Sequence, residues 1–140
     1  MTQVEASRRP PWVRAALLLG VVYFLIGRLF AVPADHPRLW RLAAWLASGL
    51  AYAAHVAHEH FGLRHSPRLV ALHAALAVAI GAIALAVAGM IHSLSAGAAL
   101  GPSWLLALVI WPAATAIPAF LVALVAGAVL ARLRPRGGAG

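Results

Sequence analysis

Cysteine and lysine are both absent from the 140 residues, only three side chains are acidic, and no more than 10% of the chain is charged. Without cysteine there is no disulfide, no thiolate metal site and no thiol nucleophile. A soluble domain of this size carries about 25% charged residues, so too little polar surface exists here to cover a water-exposed globule. Lipid must be the solvent for most of it. Glu59 is the only acid in its neighbourhood, which rules out chemistry by paired carboxylates. No glycine-rich phosphate loop occurs, and the few serines have no triad partners. His55, His58 and Glu59 give the order HxxHE, which is not the HExxH of a zinc protease helix.

The missing lysines are matched by eleven arginines in a chain rich in Ala, Gly, Pro and Val, a pattern of GC-rich coding sequence. These arginines stand singly or in pairs at the ends of apolar runs. The formal charge of +8 is therefore not a nucleic-acid patch, and no nucleic-acid partner is expected.

What the chain does have is apolar length. It is 64% hydrophobic, with a mean hydropathy of +0.91. Four runs of 20 or more residues, about 12–32, 37–61, 67–92 and 102–133, each meet the ~20 residues needed to cross ~30 Å of hydrocarbon. The expected class is an all-α membrane protein: one domain over 1–140, with four transmembrane helices in an up-down antiparallel bundle and disordered tails at 1–9 and 135–140. Local signals place the breaks. Pro10-Pro11 blocks an earlier start, Asp35 or His36 can cap the second helix before Pro37, Gly62 is its stop, and Ser66-Pro67 starts the third. Pro112 and Pro118 should bend the fourth, because each removes a backbone hydrogen bond. Arg8-Arg9, an apolar run and Val32-Pro33-Ala34 also resemble a cleavable signal peptide, but Arg28 interrupts that run and no soluble domain follows it.

Charge sets the expected orientation. With the N-terminus inside, eight arginines (8, 9, 14, 64, 68, 132, 134 and 136) fall on the inner face and three (28, 38 and 41) on the outer. The positive-inside rule then puts both termini in the cytoplasm of a bacterial inner-membrane, multi-pass protein. Small residues crowd the third run, from Ala71 to Gly89, and would let helices approach closely.

Two polar groupings stand out. Ala54 to His73 holds five of the seven histidines and Glu59, and reads as the tight connection of a helical hairpin. His55 and His73 should share a depth and face the interior. Imidazoles from two helices could be the axial pair of a haem b or the ligand of a (bacterio)chlorophyll, and His55, His58 and Glu59 could hold a divalent metal. The plainer expectation is a headgroup-level cluster, with His58, His60 and His65 in water. At the opposite face Arg28, Asp35, Arg38 and His92 should lie near one level, pairing with each other or with lipid phosphates. The sequence favours a non-catalytic structural or accessory subunit of a larger membrane complex, in contact with the lipid bilayer and with other subunits or copies of itself. A haem-, pigment- or metal-binding electron-transfer protein and a small transporter built on the bent fourth helix are the alternatives.

Overall fold

The structure, a computed structural model, describes residues 11–31, 35–99 and 101–133. The tails at 1–9 and 135–140, and the Val32-Pro33-Ala34 part of the first turn, lie outside the described residues. Four α-helices follow one another: α1 (Pro11–Leu29), α2 (Pro37–Ala57), α3 (Pro67–Ser95) and α4 (Pro102–Leu133). A single π-helical turn, His58–Gly62, prolongs α2. Three of them, α1, α3 and α4, are long and apolar enough to cross a membrane. The second is not among them, because Arg38, Arg41, Ser48, Tyr52 and His55 dilute its apolar content.

Proline opens every helix. Pro11, Pro37, Pro67 and Pro102 each occupy the first position, where the missing N–H has no intrahelical partner to lose. The expected caps contribute less than their residue types imply, for neither His36 nor Ser66 bonds its helix through the side chain. His36 instead adopts the left-handed conformation at φ 53°.

The hub is α3, which packs most extensively against α4 and then α1, whereas α2 makes only light contact with the rest. Glycine explains the tight α1–α3 seam. A Cβ on Gly81 would lie 2.7 Å from Tyr23 Cβ and 3.1 Å from the Gly20 carbonyl oxygen, so the two backbones meet there. Ala16 and Gly20 on α1, with Ala77 and Gly81 on α3, form two small-xxx-small pairs, all four buried. Residue numbers rise together along this seam, from Trp12 beside His73 to Gly27 beside Leu85. The two helices therefore run parallel. Along α3–α4 they run opposite, from Gly127 against Pro67 to Gly89 against Trp104. The directions are those of an up-down bundle, but the expected intimacy of α2 with α3 is confined to one end. There Val56 joins Val70, Ala71, Ala74 and Ala123 in the buried core.

Over its middle, from Ala44 to Tyr52, α2 stands off, leaving a cleft of about 530 Å³ whose walls include Tyr23, Trp45, Gly49, Ala82, Trp111 and Pro118. Among the described residues no charged side chain lines it; its polar side chains are the hydroxyls of Tyr23, Ser48, Tyr52 and Thr115 and the indoles of Trp45 and Trp111. Tyr52 donates its hydroxyl hydrogen to the carbonyl of Ala119 and so ties α2 to α4 near the cleft's end.

The hairpin turn differs from the glycine stop expected at Gly62. The π turn carries the helix through Gly62, Leu63 remains right-handed, and the reversal falls on Arg64 at φ 54°. A side chain in the left-handed region costs about 1–2 kcal/mol. Arg64→Gly is therefore expected to raise stability by about 1 kcal/mol in a reversible unfolding assay in detergent. A loss would show that the arginine side chain, not the backbone, fixes the turn.

Candidate functional site

The two polar groupings fare differently. At the α1–α2 end, Arg28, Asp35, Arg38 and His92 are all exposed, and among the described residues no ion pair joins any of them. The helix ends there are held instead by aromatic contact, Phe30 against Trp40 at 5.9 Å.

The hairpin end holds a dense centre. On α2 the residues Tyr52, His55, Val56 and Glu59 recur at helical spacing and form the inward stripe. Glu59 is 0% exposed, His55 2% and His73 5%. A buried carboxylate is costly unless its oxygens are satisfied, and here imidazoles do most of that. An ionised carboxylate only accepts, so His73 donates Nδ1–H to Glu59 Oε2 at 3.0 Å and His65 donates Nδ1–H to the same oxygen at 2.5 Å. His55 Nε2 stands 3.6 Å from Oε1, beyond hydrogen-bond range. Neither nitrogen of His55, nor Oε1, has a hydrogen-bond partner among the described residues, although each is buried.

Each side chain is placed by a different local device. Trp12, at the start of α1, stacks on His73 with centroids 4.6 Å apart and planes within 2°, which fixes that ring. His65 sits edge-on to His73 at 5.3 Å. Its backbone N–H also donates to the Glu59 carbonyl at 3.2 Å, so the loop grips Glu59 by main chain and side chain together. π turns carry an extra residue and recur at functional sites. This one spreads the inward stripe so that His60 as well as Glu59 is buried.

These positions correct the expectation that His60 and His65 lie in water. His60 is 2% exposed, and the His65 side chain is only a quarter exposed because the short return folds it onto the carboxylate. Of the expected metal set, His55 and Glu59 are together but His58 is exposed, with its ring beside Gly62. Of the expected axial pair, both His55 and His73 face inward, yet each addresses the carboxylate of Glu59. The Glu59 carboxylate lies between them, Oε1 towards His55 and Oε2 towards His73. Sequence reasoning passed over His65 and the Trp12 stack. The signal for His65 was the brevity of the return, which keeps any side chain on it within reach of both helix ends.

Among protein-family models, curated proteins and solved structures, none matches this chain.

Proposed function

We propose that this is a four-span protein of the bacterial inner membrane, with both termini and the 62–67 turn cytoplasmic, acting as a non-catalytic accessory subunit of a larger membrane assembly. The observation behind this reading is α2. It is the least apolar of the four helices and the least packed, yet Leu42, Trp45, Leu46 and Leu50 on it are each more than half exposed. Lipid alone covers apolar side chains well, but a helix that also carries Arg38, Arg41, Ser48 and Tyr52 gains more from a protein neighbour than from hydrocarbon. The cleft beside it, where Gly49 faces open space, is the natural seat for another subunit's helix or a second copy of this chain.

Two measurements test it. Compartment reporters fused after residue 140 and inserted at 96–98 are expected to give opposite signals, as both spans of the α3–α4 hairpin must cross. Equal signals would end the four-span topology. A photo-crosslinking residue at Trp45 or Leu46, in the full chain in native membranes, is expected to capture one discrete protein species. Crosslinking to lipid alone, with the purified chain monomeric, would remove the subunit reading.

A further inference from the structure

The centre at the hairpin end has a composition that a hydrogen-bonded polar knot does not require. Among the described residues, one ligand atom from each of Glu59, His65 and His73 lies within 4.8 Å of the others. Donors around a tetrahedral ion at about 2.1 Å stand about 3.4 Å apart; His65 and His73 Nδ1 already stand 2.5 and 3.0 Å from Glu59 Oε2, so a slight spreading of these side chains admits an ion. His55 stands outside this group of three, its Nε2 3.6 Å from Oε1, and becomes a fourth donor by turning towards them. Hydrogen bonding satisfies His65 and His73 but leaves both nitrogens of His55 and Oε1 of Glu59 buried without a hydrogen-bond partner. Buried polar atoms without a partner are costly, and coordination of an ion by His55 and Glu59 would engage them.

We propose that Glu59, His65 and His73, with His55 as the fourth donor, bind one divalent first-row transition metal ion, of which zinc is the representative. The donor chemistry selects this class. Three imidazoles and one carboxylate suit zinc, cobalt, nickel or iron, whereas calcium and magnesium take oxygen donors. The single carboxylate offsets half the charge of a divalent ion, and the neutral imidazoles supply the rest of the coordination without adding charge. The surroundings preorganise the set: Trp12 clamps the His73 ring, the main-chain bond from His65 to Glu59 fixes the loop, and the π turn aims Glu59 inward. The ion would join the α2 end, the 63–66 return and α3. That fastens α2, the loosely packed helix, to α3 at the end where Val56 meets Val70, Ala71 and Ala74 in the core. This inference does not depend on the subunit reading, and neither falls with the other.

The test uses the full chain purified in detergent, stripped with a chelator, and then given Zn²⁺ or Co²⁺ before gel filtration. One equivalent of zinc is expected to be retained, and the cobalt form is expected to show the intense visible bands of a four-coordinate site. Glu59→Gln and His73→Gln are each expected to weaken retention at least tenfold, while His58→Gln and His92→Gln leave it unchanged. His65→Gln, on a partly exposed loop side chain, carries the test if the buried variants fail to fold, and is expected to weaken retention tenfold as well. Failure of the wild-type chain to retain zinc would overturn the site. So would equal retention by the folded Glu59→Gln or His65→Gln chain, or a pale, six-coordinate cobalt spectrum, since each places the ion on surface histidines.

Discussion

Glu59→Leu is expected to lower the stability of the metal-free protein by about 2 kcal/mol, measured by reversible unfolding in mixed detergent micelles. The carboxylate is fully buried and accepts from His65 and His73. Leucine has similar bulk, so the cost comes from polarity and not from a cavity. His65 is partly exposed and can turn to water, but His73, 5% exposed and clamped by Trp12, cannot. A buried donor without an acceptor costs about 1–3 kcal/mol, and the pair counts nearer one donor than two. Glu59→Gln keeps an accepting oxygen and is expected to cost about half as much. If leucine proved neutral or stabilising, the centre would be one of those buried polar groups that a hydrophobic replacement improves. Its presence would then need a reason in function alone.

A second large effect is expected at the helix seam. Gly81→Leu should separate α1 from α3 and cost about 3 kcal/mol, and even Gly81→Ala should cost about 1 kcal/mol, because the added Cβ would meet Tyr23 Cβ at 2.7 Å and the Gly20 carbonyl at 3.1 Å. A backbone carbonyl and the Cβ of a neighbouring residue cannot swing away as the tip of a flexible side chain can. Gly49→Ala is the control, since nothing lies within 4 Å of its new methyl group. It is expected to be neutral or to gain a few tenths of a kcal/mol from helix propensity. Equal stability of the Gly81→Leu and Gly49→Ala chains would mean that α1 and α3 are not packed through these glycines.

The class of molecule was legible in the sequence because it depends on sums and on local chemistry. A low charge fraction and long apolar runs favour long helices, which satisfy their own backbone groups, and three of the four are long and apolar enough to cross a membrane. Proline fixed the starts of all four helices, since its ring and missing N–H act at one position whatever surrounds it. The burial of His55 and His73 agrees with the inward placement expected from their shared depth in the hairpin. Partnership between helices did not follow. The third run was visibly rich in small residues, but its closest mates, Gly20 and Gly27, lie in a run about 60 positions away in sequence and read there as ordinary apolar filling. That α2 stands off, with its lower apolar content, while α1 and α3 close up depends on which surfaces fit. Adjacency in the chain had suggested the opposite. The same holds at the hairpin. A π turn and a left-handed Arg64 move the reversal beyond Gly62, bring His65 onto Glu59 and leave His58 outside. One extra residue in a helical turn changes which side chains share a face, and only the packing of α2 against α3 decided that it would be accommodated there.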